Sequence, residues 1–138
     1  MYTADLFLNY MGAVDEVANE ISKLFRIELT KKQDEFGDKY SFYFMDIEFL
    51  LYGDHGLEDD CGIIFTDYNY QIQIIKLNYA MKHETYSDMY SKIAMFLTER
   101  LSRALNANAM LVDNLQHLVA KIDVGSSLQY NLAYASGE

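Results

Sequence analysis

The segment Gly53-Asp54-His55-Gly56-Leu57-Glu58-Asp59-Asp60-Cys61 gathers the densest set of reactive side chains in the chain: an imidazole, four carboxylates and the single thiol. Carboxylates beside an imidazole can ligate a divalent cation. The spacing fits no compact metal motif, however. No second histidine stands nearby, no cysteine is paired, and no calcium-loop pattern closes on a bidentate glutamate. An acidic, solvated loop with neither metal nor cofactor is the reading. Cys61, set between Asp60 and Gly62, makes a poor nucleophile because flanking carboxylates disfavour the thiolate, and it is expected inside a strand. His83 adjoins Lys82 and Glu84 in a connection, and His117 lies in DNLQHLVAKI, a short amphipathic helical pattern at the surface. No glycine-rich phosphate loop, serine elbow or paired-cysteine zinc motif accompanies them. Catalytic residues are not expected, and the chain reads as a protein other than an enzyme.

Charge is more informative. The 138 residues carry 21 acids and 11 bases, a formal net charge of −10, with a pI near 4.6. Residues 1–69 hold 15 of the acids and 5 of the bases, whereas residues 70–138 are balanced at 6 of each. Within 33–67, ten acids (Asp34, Glu35, Asp38, Asp46, Glu48, Asp54, Glu58, Asp59, Asp60, Asp67) face only Lys39. Such a field repels nucleic acid and anionic lipid, and it attracts basic partners over about 8 Å at physiological salt. Lys92, Arg100 and Arg103 form the best basic cluster, and a solvated helix face accounts for them. No apolar run approaches the roughly 20 residues that would cross a bilayer. The N-terminus MYTADLFLNYMG lacks the pattern of a signal peptide. One cysteine forms no internal bridge, so a reducing cytoplasm is the expected location.

These groups must be held by regular elements. Val14, Val17, Ala18, Ile21, Leu24 and Phe25 recur at helical spacing, predicting a helix over Ala13–Phe25. Leu6–Tyr10 reads equally as a short strand or as a continuation of that helix. Tyr40–Tyr52 alternates in two-residue steps, Phe42 and Phe44 against Tyr43, then Ile47, Phe49 and Leu51 against Asp46 and Glu48, predicting a half-buried strand. Asp54–Asp60 is a loop, Gly62–Thr66 a second strand, Asp67-Tyr68-Asn69 a tight turn and Tyr70–Leu77 a third strand. Short loops make the three an antiparallel meander. Met89, Tyr90, Ile93, Phe96, Leu97, Leu101 and Leu105 mark a long helix over Tyr86–Leu105, with Thr85 or Ser87 as its cap. Ala109–Val112 reads as a short strand and Leu115, Leu118, Val119 and Ile122 as a brief helix. Gly125-Ser126-Ser127 breaks the chain, the alternation of Leu128, Tyr130, Leu132 and Tyr134 suggests a last strand, and Ser136–Glu138 is expected to be loose. Proline and linker-like tracts are absent. The expectation is one α+β domain over residues 1–138, a largely antiparallel sheet with helices on one face.

Twelve tyrosines stand in a chain without tryptophan, and Tyr40, Tyr43, Tyr52, Tyr68 and Tyr70 lie in or beside the acidic half. Aromatic rings among carboxylates receive Lys and Arg by stacking, cation–π contact and charge-assisted hydrogen bonds. Tyr52, Asp54, Glu58, Asp59, Asp60, Asp67, Tyr68 and Tyr70 are therefore the expected partner-binding residues. The acidic strands SFYFMDIEFLLYGD and CGIIFTDYNYQIQIIKL, the helix YSDMYSKIAMFLTERLSRAL with the following AMLVDNLQHLVAKI, and the size and charge together resemble small cytoplasmic immunity proteins of bacterial contact-dependent inhibition and other polymorphic toxin systems. The resemblance is one of style over most of the chain, without a signature motif. It implies a monomer that forms a tight one-to-one complex with a toxin domain, often a basic nuclease, whose active site it covers. The alternative is a dimeric cytoplasmic chaperone for a secreted effector.

Overall fold

The computed structural model describes residues 3–35, 37–53, 55–76, 83–124 and 129–130. Its elements are β1 (Thr3–Asn9), α1 (Val14–Phe25), β2 (Thr30–Asp34), β3 (Gly37–Phe44), β4 (Ile47–Gly53), a 3-10 turn at Phe65–Asp67, β5 (Tyr70–Lys76), α2 (His83–Leu105), β6 (Asn108–Asp113), β7 (His117–Ile122) and β8 (Gln129–Tyr130). The strands form one sheet in the order β2-β3-β4-β5-β1-β6-β7-β8, and every neighbouring pair is antiparallel. The fold is α+β.

Topology explains why both helices share a face. β1 and β5 run in opposite directions, and their crossovers leave in opposite directions, β1 to β2 through α1 and β5 to β6 through α2. Taking both in the right-handed sense usual for such crossovers puts α1 and α2 on the same side. The helices pack on each other and on a core built from Leu6 and Leu8 of β1, Phe49 and Leu51 of β4, and Ile72 and Ile74 of β5. Tyr90 of α2 reaches through this core. Its hydroxyl accepts the Ala4 N–H at 2.7 Å and donates to the Ile74 carbonyl, two residues paired across β1 and β5.

Local sequence accounts for the helix ends. The Glu16 carboxylate accepts the Ala13 N–H at 2.8 Å, meeting a donor left over at the start of α1. Both helices end on a non-glycine residue in the left-handed region, Arg26 at φ 55° and Asn106 at φ 50°. In each, a serine in the last turn secures the exit: the Ser22 hydroxyl donates to the Ile27 carbonyl and that of Ser102 to the Ala107 carbonyl. The following N–H groups return to the Ser22 and Ser102 carbonyls.

Several expectations change. Tyr40–Tyr52 is two strands, joined at Met45-Asp46, both at positive φ, in the two-residue turn whose twist suits a hairpin. Leu6–Asn9 is strand, part of β1, and it lies near the middle of the sheet, with Tyr10 just beyond it. Gly62–Thr66 is not a meander strand. It makes only the Asp60–Ile63 bridge, and the meander is β3-β4-β5. The 115–122 stretch is strand β7 rather than helix, and a register shift opposite Leu111 and Val112 interrupts its alternation. Leu118 consequently packs with one core, and Val119 and Ala120 with the other. His117 begins that strand, and His83 begins α2, so Thr85 and Ser87 fall inside the helix. Cys61 sits exposed in a turn at φ 51° rather than within a strand. The Gly125–Ser127 break, Ser136–Glu138 and all of the last expected strand beyond Gln129–Tyr130 lie outside the described residues.

Candidate functional site at the acidic end of the sheet

The sheet face opposite the helices needs its own cover, because Phe7, Met110 and Val112 point that way. Segment 55–69 supplies it. Ile63, Phe65 and Tyr68 are buried against those three residues in a second core, with Leu57, Leu115 and Leu118 at its border. The 55–69 segment is thus a packed cover and not a loose loop.

His55 holds the cover in place. Its Nδ1 accepts the Leu57 N–H at 2.9 Å, which leaves the ring proton on Nε2. That proton is directed between the carbonyl oxygens of Tyr68 at 2.8 Å and Phe65 at 3.1 Å. The ring stands edge-on to Phe7, centroids 5.4 Å apart. Both ring nitrogens are therefore engaged with backbone. Among the described residues no group of three or more His, Cys, Asp or Glu side chains is arranged to hold a metal.

The acids of the segment divide by role. The Asp59 carboxylate accepts the Thr66 N–H at 3.0 Å and the Thr66 hydroxyl at 2.9 Å. The Asp60 carboxylate accepts the Cys61 N–H at 2.9 Å, and the Asp60 and Ile63 backbones exchange hydrogen bonds around Cys61-Gly62. Glu58 and Asp67 are exposed, and among the described residues their side chains enter no hydrogen bond or ion pair. All four carboxylates face solvent on a segment that Asp59, Asp60 and His55 stiffen.

Strand direction collects further charge at the same end. β1 stops there and β5 starts, so the first turn of α1 with Asp15 and Glu16, the β2–β3 connection with Glu35, and Asp123 after β7 are all brought to it. Asp46 and Glu48 are at the other end, in and beside the β3–β4 turn. Among the described residues, Met11 at 98%, Ile64 at 53% and Val124 at 42% stand exposed at the acidic end. The sequence reading missed them. Ile64 had a signal, since Ile63 in, Ile64 out and Phe65 in is simple alternation.

Of the expected partner-binding residues, Glu58, Asp59, Asp60 and Asp67 come together on this segment. Asp54 lies outside the described residues. Tyr68 is buried beneath the segment, and its phenol is pushed up to about 12 by that burial and by Asp123 and Asp67. Tyr70 turns to the helix side, where its hydroxyl donates to the Gly12 carbonyl at 2.6 Å. Tyr52 is half-buried on the opposite face, raised to about 12 by burial and by the charge of Asp5. Tyr68 and Tyr70 are thus withdrawn from the proposed surface: residue 68 anchors the second core, and the register of β5 sends residue 70 to the first.

Asp5 is a strongly perturbed carboxyl. It is 1% exposed in the middle of the sheet, and burial, with Asp113 adding to it, lifts it to about 6 against the opposing hydrogen bond from Gln71. The Gln71 amide donates to it at 2.7 Å.

Comparison with known protein families, curated proteins and solved structures finds no match to this chain. No helix among the described residues is long and apolar enough to cross a membrane.

Proposed function

We propose that this protein acts by binding a basic protein partner at the acidic end of its sheet, in the manner of an immunity protein that covers a toxin domain. The supporting observation is the stiffened 55–69 segment, which carries the exposed acids Glu58, Asp59, Asp60 and Asp67 together with the exposed Ile64. Carboxylates carried on a fixed segment that also exposes an apolar side chain suit an interface, in which charge speeds encounter and the apolar contact supplies affinity. Opposite charge raises association rates by about 10- to 1,000-fold at low salt. A cationic nuclease domain fits this surface, with the carboxylates standing where substrate phosphates would lie. The alternative of an effector chaperone calls for an obligate dimer, whereas the immunity reading calls for a monomer, so solution mass separates them.

The decisive measurement is binding kinetics against the C-terminal domain of a large secreted protein encoded beside this chain. Glu58→Lys with Asp67→Lys is the informative variant, because Asp59 and Asp60 also cap the segment and their replacement would confound binding with local unfolding. A tenfold or larger drop in association rate at low salt, shrinking at high salt, is expected. An unchanged rate would sink the assignment.

A further inference from the structure

A groove lies along the seam of α1 and α2, on the sheet face opposite to segment 55–69. One stretch, about 720 Å³, is lined by Leu24, Phe25, Phe44, Met89, Ile93 and Phe96, with Lys92 at its border. The adjoining stretch, about 430 Å³, shares Leu24 and is lined by Glu20, Lys23, Arg100, Arg103 and Ala104. On α2 these positions step by three and four residues, so they form a single stripe about 22 Å long at 1.5 Å per residue. Phe96, at the junction, is 43% exposed, and the Arg100 guanidinium lies over its ring at 5.5 Å.

We propose that this groove receives an amphipathic helical segment of a protein partner, with large apolar side chains at one end and carboxylates at the other. Charge complementarity selects that occupant. In a chain of net charge −10, three of 11 basic residues meet at one end of the groove. Glu20 is the acid lining that end, and it pairs with Lys23 at 3.7 Å. The apolar stretch is an open trough, not an enclosed cavity, so it suits side chains projected at three- and four-residue intervals from a helix rather than a small amphiphile that needs burial on all sides. This site lies on the other face of the sheet from segment 55–69 and does not rest on the reading given to that segment.

The test is a displayed library of random 16-residue peptides panned on the full chain, followed by affinity measurement on the synthesised consensus. Selected peptides should combine apolar residues at helical spacing with Asp or Glu toward one end. Arg100→Glu with Arg103→Glu should weaken the consensus at least tenfold, as should Phe96→Ser. These side chains are exposed, and an unchanged thermal transition will show that the variants fold. Glu58→Lys with Asp67→Lys should leave the affinity unchanged. Failure to select any peptide, a basic or uncharged consensus, equal binding to the Arg100/Arg103 and Phe96 variants, or loss of binding in the Glu58/Asp67 variant would each overturn the proposal.

Discussion

The Nε2–H of His55 points at the carbonyl oxygen of Tyr68 across 2.8 Å, joining the two ends of the segment that covers the second sheet face. Replacing His55 with Ala leaves that carbonyl, the Phe65 carbonyl and the Leu57 N–H without their partner. Water can reach part of this site, so a loss of about 1–2 kcal/mol in urea unfolding is expected. Amide exchange at Leu57 should accelerate far more than exchange in β4 or β5. Uniform acceleration across the sheet would contradict the local role.

Asp5 gives a pH dependence of definite sign. Its folded-state value, about 6, exceeds the ordinary 3.8, so between those values the native chain keeps a proton that the unfolded chain has released. Stability from this group is therefore complete below 3.8 and falls as pH rises toward 6, by up to about 3 kcal/mol. Asp5→Asn keeps an acceptor for Gln71 and removes the charge. It should stabilise the protein by about 1–3 kcal/mol at pH 7.5 and be neutral at pH 4. A variant destabilised at both pH values would refute the account.

Asp15 has the opposite sign. The Tyr40 hydroxyl, and then Lys31, hold its carboxyl below the usual range, so its contribution is present at neutral pH and is lost as pH falls through the depressed value. Tyr40→Phe should move the Asp15 midpoint, followed by carbonyl-carbon NMR, back up toward that of a free aspartate. An unmoved midpoint would assign the effect to Lys31 instead.

Tyr90→Phe tests the link between α2 and the sheet. The ring still fills its place in the core, but the Ala4 N–H loses its acceptor and the Ile74 carbonyl loses a donor. A cost of about 2–3 kcal/mol in thermal or urea unfolding is expected for such buried groups. A cost under about 0.5 kcal/mol would mean that water replaces the hydroxyl.

The turn at Met45-Asp46 shows how nearly legible the sheet was. Phe42 and Phe44 place even residues toward the core, whereas Ile47, Phe49 and Leu51 place odd ones there. One straight strand cannot change parity, so the pattern already contained a turn, with Asp46 a usual turn former and Met45 not one. In β7 the bulge breaks the alternation and leaves apolar residues at 118, 119 and 122, which with Leu115 of the preceding turn make a spacing that imitates a helix.

Sequence alone determined what depends on neighbours along the chain: the periods of α1, α2 and β5, the α+β class, and the acidic bias of the first half. Tertiary structure decided what depends on distant partners. It turned Gly62–Thr66 from a strand into a cover, because Phe7, Met110 and Val112 left a second face to be buried. It also drew Tyr68 and Tyr70 inward, left Glu58 and Asp67 as the least committed acids of the segment, and aligned Phe96 with Arg100 beside Leu24. Side-chain period records which residues share a face, but which face gains cover depends on how the strands are ordered, and that order is set by contacts between residues far apart in the chain.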